Sequence, residues 1–353
     1  MTQETTPLTM RPTADAPGEP AADVDPLQKR FFNVRTLLSF ALGIAVMVLV
    51  IRRVDVDPRA IMDQLSQANV AYLLIALALY HSTFIIRALR WRKLLENVGY
   101  HADGGVDLPG VMGIAKIVLL SWFANCIVPA KLGDAYRAYM LKHEAGVSFS
   151  KTFGTILAER IIDTLLLFVL LGGSVLLAFH GALPPVILSI MQVGLGLVAL
   201  VIVGLVAMRG LGGPIRKLVP GRFQRHYGLF EEGTLGSFQA MPLVLLYSAA
   251  GWAIEAARLY FVGLSLGLTG LSIPVILFVA LAAALLTTLP VTPAGLGFVE
   301  SAIVAILMLA ASFGLAPGVD ENVAASVAIL DRVISYWSII VIGLIVYVVA
   351  RRR

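Results

Sequence analysis

Long apolar runs restrict what this chain can become more than any motif does. A helix needs roughly 20 apolar residues to cross the hydrocarbon core of a bilayer. Runs near that length lie at Val34–Ile51, Val70–Ile86, Ile161–Phe179, Leu183–Met208, Pro242–Leu266, Ile273–Leu289 and Val333–Ala350. The chain is 58% hydrophobic and 14% charged, with a mean hydropathy of +0.87. That lies outside the range of soluble globular domains. In lipid the backbone must satisfy its own hydrogen bonds, so continuous runs of this length dictate helices. The expected fold is all-α: a polytopic integral membrane protein with about seven spanning helices.

Charge and composition narrow the function classes. The single cysteine, Cys126, excludes an intramolecular disulfide, and no Cys/His cluster has zinc-ligand spacing. No metal or other cofactor is therefore expected. The net charge of +5 falls mostly between spans and reads as topology signal, not as a nucleic-acid footprint. Residues 1–30 are rich in Pro, Ala, Thr and acids up to residue 26 and read as a disordered cytoplasmic tail, followed by one transmembrane domain over 31–353. KRFFNVR, ALRWRKL, the five basic residues between Arg209 and Arg225, and the final RRR all belong inside. Both termini are then cytoplasmic, and the location is the cytoplasmic membrane of a prokaryote. Arg52, Arg53 and Arg59 fall outside in this scheme, against the rule.

The chain also partly matches itself. IIRALRWRKLLENVG (85–99) lies over AIEAARLYFVGLSLG (253–267) at an offset of 168. PAKLG (129–133) lies over PAGLG (293–297) at 164, and Arg160 lies over Arg332 at 172. Repeat one covers about 70–180 and repeat two 242–353, joined by a basic amphipathic linker, 209–241, on the inner headgroup surface. The loop charges run the two repeats in opposite directions. Inverted repeats are a plan of secondary transporters, with the substrate site near the midplane.

PAKLGDAYR (129–137) breaks an apolar segment that has basic residues on both flanks. A single crossing would put one basic set outside, whereas a re-entrant hairpin returns both inside. Its partner, 273–314, carries TLPVTPAGLG at its tip. Broken backbone at membrane depth must line protein or a water-filled cavity.

Ionised side chains inside spans are costly and mark function by default. Glu159, Arg160 and Asp163 open one span, the two acids sharing a helix face. Asp331 and Arg332 hold the matching place in the other repeat, Glu255 and Arg258 lie in a third span, and Lys116 and Glu300 lie in the hairpins. Asn125, Lys131, Gly133, Asp134 and Arg137 form a group suited to an anionic oxygen at the first tip. Gly295, Gly297 and Glu300 form one at the second, where Arg332 would supply the cation. The plainer reading is that these charges pair and hold helices together.

At these motifs the chain resembles the transmembrane region of the lysylphosphatidylglycerol synthase family, a flippase-like domain also found alone in bacteria and archaea. The resemblance covers roughly residues 31–350. Asn125, Pro129, Lys131, Gly133, Asp134 and Arg137 match its first motif, and Glu159, Arg160 and Asp163 its Glu-Arg-x-x-Asp. Pro290, Pro293, Gly295, Gly297 and Glu300 match its Pro-x-x-Pro-Gly-Gly-x-Gly-x-x-Glu segment, with Ala294 replacing the first glycine. The soluble aminoacyl-transfer domain of the larger synthases is not in this sequence. The resemblance implies movement, or binding for movement, of a membrane lipid with an anionic head group.

The expectation is thus a lipid flippase and not an enzyme, acting from the bilayer and binding no nucleic acid. No G-x-x-x-x-G-K-[ST] sequence is present, which leaves facilitated exchange or ion coupling. Glu159, Asp163, Glu300 and Asp331 are the candidate proton sites, since low dielectric favours the neutral carboxyl. The expected protein partner is a lipid-synthesis enzyme or a second copy of the chain. The alternatives are a non-transporting membrane partner of a lipid-modifying enzyme and an intramembrane enzyme on a lipid phosphate. The last lacks HExxH, GxSxG or an Asp-rich metal motif.

Overall fold

The structure, a computed structural model, describes residues 38, 40–45, 48, 57–128, 132–179, 185–287 and 292–351. The expected tail and most of the Val34–Ile51 span lie outside those residues. Among the described ones the chain is helical throughout, without strands.

The helices are α1 (Pro58–Gln67), α2 (Val70–Asn97), α3 (Val111–Ile127), α4 (Leu132–Ala145), α5 (Phe149–Phe179) and α6 (Pro185–Leu218). They continue as α7 (Gly221–Gly236), α8 (Met241–Ser265), α9 (Ile273–Thr287), α10 (Phe298–Ser312), α11 (Glu321–Arg332) and α12 (Ser338–Arg351), the last two joined by a π-turn at Val333–Trp337. Five described stretches are long and apolar enough to cross a membrane: Val70–Gly104, Phe149–Phe179, Ile187–Leu218, Pro293–Ser312 and Glu321–Ala350. A sixth arises if α7 and α8, bent by 81°, are one span. Of the Ile273–Leu289 run, Ile273–Thr287 is described and is helical throughout.

Local chemistry sets the helix ends. Asp57 caps α1 by accepting from the Arg59 N–H, with Pro58 at the first position, and Asn69 caps α2 by accepting from Ala71 N–H. At the other end, α2 and α8 stop in the same way. Gly99 (φ 88°) and Gly267 (φ 78°) take the left-handed conformation, and the following N–H reaches back, Tyr100 to Leu95 O and Leu268 to Gly263 O. The two caps are 168 residues apart, the offset of the sequence repeat.

These two helices pack together at the centre, and they run antiparallel. Asn69 N–H donates to Ser265 O at one end, while the Asn97 amide donates to Ser237 O at the other. Antiparallel packing of equivalent helices places the repeats in opposite directions. Around this pair, α3 with α4 and α9 with α10 form two broken helix pairs, and α5 and α11–α12 complete the halves.

The break between α3 and α4 closes tightly because residue 133 is glycine. A Cβ there would sit 2.0 Å from the Ser121 carbonyl oxygen. The Gly133 N–H also donates to Asn125 Oδ1 at 2.8 Å. Glycine thus lets the start of α4 lie directly on α3. In the linker region α6 runs on through Pro214 to Leu218, and α7 packs along the beginning of α5, tied by a Lys151–Glu232 ion pair.

Candidate functional site

Twelve charged side chains join in buried or half-buried ion pairs where the halves meet. Glu159 and Asp163, one turn apart on α5, both face Arg90 of α2. Arg90 donates to Glu159 Oε1 at 2.7 Å, to both Asp163 oxygens and to Ser248 Oγ at 2.9 Å. Glu159 also accepts from Arg137 at 2.8 Å, and the Arg137 guanidinium lies 3.8 Å over the Trp91 ring. Arg137 is 1% exposed and Glu159 3%. Nearer the tip, Arg160 grips Asp134 with two bonds of 2.7 and 3.0 Å, the bidentate geometry that suits a guanidinium and a carboxylate.

The second half repeats this scheme. Arg258 of α8 pairs with Asp331 of α11, as Arg90 does with Asp163, and each pair spans 73 residues. Arg258 also lies 5.4 Å over Tyr80, whose place in the repeat corresponds to Ser248, the hydroxyl that Arg90 bonds. Arg332 donates to Glu300 Oε1 at 2.8 Å and to Ala294 O at 3.2 Å. It thereby holds the second tip as Arg160 holds the first. Glu300 in turn accepts from the Gly297 N–H at 2.8 Å, closing the first turn of α10.

One pair joins the halves. Arg87 donates to Glu255 Oε1 at 3.1 Å, and these two positions are themselves 168 residues apart. Equivalent positions that touch each other lie where the two repeats meet. Glu255 gives its other oxygen to Arg258 at 3.2 Å.

Beside this pair is a cavity of about 350 Å³. Its polar wall carries Arg87, Arg160, Arg258 and Arg332, with Asp163, Glu255 and Asp331 between them. Its apolar wall includes Leu197 and Val201 of α6 and the small residues Ala280, Ala283 and Ala284 of α9. Trp122, stacked under Arg87 at 4.4 Å, and Trp252 complete it. The Trp252 indole N–H is buried with no hydrogen-bond partner among the described residues. Four guanidinium groups against a largely apolar wall suit a ligand with an oxyanion at one end and hydrocarbon at the other.

The structure brings together most of the sequence candidates. Arg160, Asp163, Arg258, Asp331 and Arg332 line the cavity; Asp134 and Glu300 pair with Arg160 and Arg332, while Glu159 pairs with Arg137 and Arg90 away from it. Asn125 and Gly133 close the first hairpin, and Pro293, Gly295 and Gly297 shape the second tip around it. Pro129, Lys131 and Pro290 lie outside the described residues. The cationic groups are not free, as an anion site of unpaired arginines would need: Arg137, Arg160, Arg258 and Arg332 each have a carboxylate partner. Lys116 instead pairs with Glu144 in a half-exposed place away from the cavity.

Sequence reasoning passed over Arg87, Arg90 and Glu255 as site residues, and Trp122 and Trp252 too. The signal was present: Arg87/Glu255, Arg90/Arg258 and Asp163/Asp331 all fall at the single offset of 168. Aligning Arg160 with Arg332 at 172 obscures it, because the order of Arg and Asp is exchanged between the two segments. Among the described residues no group of His, Cys, Asp and Glu is arranged to hold a metal ion.

Comparison with known proteins gives the same picture. A UPF0104 membrane protein of Methanocaldococcus jannaschii is 36% identical over 232 residues, covering 65% of this chain and 95% of that one. A UPF0104 membrane protein of Pyrococcus horikoshii is 25% identical over 300 residues, 77% of this chain and 84% of the relative. The glycosyltransferase AglD of Haloferax volcanii is 25% identical over 351 residues, spanning 87% of this chain but 53% of that longer protein. Residues 37–343 match the model of the lysylphosphatidylglycerol synthase transmembrane region. With that match over most of its length and broken, charge-paired helices meeting at a common cavity, the chain belongs to the lysylphosphatidylglycerol synthase transmembrane-region family.

Proposed function

We propose that this protein is a lipid transporter of flippase type. It carries a phosphate-bearing, anionic head group across the cytoplasmic membrane while the acyl chains stay in lipid. Its termini face the cytoplasm, and it performs no covalent chemistry on its cargo. One observation carries this reading: the cavity between the two repeats sets four arginines opposite an apolar wall. An ionised head group has to cross about 30 Å of hydrocarbon, and a polar site between inverted halves lowers that barrier from either face. The helix α6 lies over the cavity through Leu197 and Val201 while its neighbours Leu195, Leu200 and Val203 are exposed, as a lipid-facing wall requires.

The longer glycosyltransferase-named relative favours a second reading, in which this membrane unit serves a separate lipid-modifying enzyme. The two readings separate in reconstituted vesicles. Fluorescently labelled phosphatidylglycerol is placed in both leaflets, and the fraction that an external reductant bleaches is followed. Transport requires that wild type expose inner-leaflet lipid and that Arg160→Ala and Arg332→Ala lose this. Native mass spectrometry of the same three proteins adds the binding test. Equal retention of bulk lipid by all three, with no translocation by wild type, overturns the transport reading.

A further inference from the structure

We infer that movement of the anionic head group is coupled to a proton, and that Glu255 is the carboxylate that takes it up. The inference rests on the phosphate-bearing cargo proposed above.

The buried network is balanced. Six arginines (87, 90, 137, 160, 258, 332) meet six carboxylates (134, 159, 163, 255, 300, 331), all linked through ion pairs. An anion that enters such a site leaves one negative charge without a partner in a low-dielectric place. Neutrality returns if the anion displaces a carboxylate from its arginines and that carboxylate binds a proton. The charge balance is then closed: the phosphodiester oxyanion takes the guanidinium contacts, the carboxylate becomes a carboxylic acid, and the proton comes from the bulk solution.

The contacts single out which carboxylate yields. Asp134, Glu159 and Asp163 are held by Arg90, Arg137 and the bidentate fork of Arg160. Arg90 and Arg137 are not in the cavity wall, so an anion in the cavity does not reach the grips on Glu159 and Asp163; Asp134 lies behind the wall and keeps both bonds of the Arg160 fork, at 2.7 and 3.0 Å. Glu300 keeps its backbone bond from Gly297, and Asp331 has Ser335 as well as Arg258. Glu255 has arginine partners only, Arg87 and Arg258, and both stand in the cavity wall beside it. Its bonds, 3.1 and 3.2 Å, are longer than those of Glu159, Asp134 and Glu300. An anion reaching Arg87 and Arg258 therefore competes with Glu255 directly.

The other ionisable groups facing the same cavity are Tyr80 from α2, Cys126 from α3, Arg160 and Asp163 from α5, and Asp331 and Arg332 from α11. Asp163 stays on Arg90 throughout, and Asp331 retains Ser335. Trp252, one turn before Glu255 on α8, offers its unpartnered N–H to the incoming oxyanion.

The test is proton uptake on binding. Full-length protein in weakly buffered detergent solution is titrated with short-chain phosphatidylglycerol, whose phosphodiester stays ionised through the working range, and a pH dye follows the protons. Wild type is expected to take up about one proton per lipid bound, with apparent affinity falling about tenfold for each unit that pH is raised. Glu255→Gln is expected to bind the lipid with no uptake and no such pH dependence. Binding by wild type without proton uptake overturns the inference and leaves the lipid reading intact, and it needs no variant to fold. Uptake that persists in Glu255→Gln assigns the proton elsewhere and overturns the residue. Glycerophosphoglycerol, the same head group without chains, is the control arm. If it binds with equal affinity and equal uptake, the coupling stands and the cargo is a soluble phosphodiester. If wild type binds neither, both readings fall.

Discussion

The two repeats contain the same kinds of charge and use them differently. In the first, Glu159 is shared between Arg90 and Arg137, and Arg137 is sealed against Trp91. That cluster ties α2, α4 and α5 together away from the cavity. In the second, Arg258 with its partners Glu255 and Asp331 stands at the cavity wall, and so does Arg332, whose partner is Glu300. The helices after the two tips differ to match. α4 (LGDAYRAYMLKHEA) is polar and supplies two members of the ion cluster, whereas α10 (FVESAIVAILMLAAS) is apolar after Glu300. One duplicated plan has thus yielded a sealed cluster in the first half, while Arg87, Arg160 and Asp163 of that half share the cavity wall with Glu255, Arg258, Asp331 and Arg332 of the second. The physical reason is location: the same kind of pair is scaffold where it is sealed in the interior and stays accessible where it borders a cavity.

The comparison can be broken most directly at Glu159. Glu159→Ala leaves Arg137 in the interior without its carboxylate, while Arg90 keeps Asp163, and losing one partner of a buried pair costs roughly 3–5 kcal/mol. The variant is expected to melt far below wild type by fluorescence-detected size exclusion in detergent. An unchanged melting point would show that the first cluster is not the fastening. Gly133→Ala acts on the same half by another route. Its new methyl meets the Ser121 carbonyl, and overpacking of this kind costs about 1–3 kcal/mol. The same melt should fall by less than in Glu159→Ala, with lipid retention intact in the protein that remains folded.

Arg332→Ala probes the other half. Glu300 keeps its bond from Gly297, so the loss of stability is expected to stay below that of Glu159→Ala, at about 1–3 kcal/mol, the range for an orphaned polar group. Lipid retention by native mass spectrometry should fall more sharply than the melting point. A large melting shift with retention unchanged would make the second half a fastening too. The smallest effect belongs to Ala294, which sits at φ 46° in the second tip. Left-handed backbone costs a non-glycine residue roughly 1–2 kcal/mol. Ala294→Gly removes that strain but frees the unfolded chain by about 0.5–1 kcal/mol, so the net gain is about 0–1.5 kcal/mol. Thermal melts at matched detergent concentration would detect it, and a loss of stability would show that the alanine methyl packs usefully.

Much of this was legible in the chain itself. Run length and hydropathy determined an all-helical membrane protein, because lipid leaves the backbone no other partners than its own. The Pro-Gly breaks and the Arg-Asp motifs marked both tips and most of the cavity's charged wall, because charges that survive in apolar runs must be paired or used. The caps at Gly99 and Gly267 came from the structure, although glycine after a helix is a local signal.

The sequence could not assign partners. Arg160 lies three residues from Asp163 yet grips Asp134, and Arg87 meets Glu255 across 168 positions. Helix spacing says which residues share a face, but not which face of another helix it will meet. Only the antiparallel packing of α2 on α8 brought the equivalent positions together, and that packing decided which charges became scaffold and which were left facing the cavity.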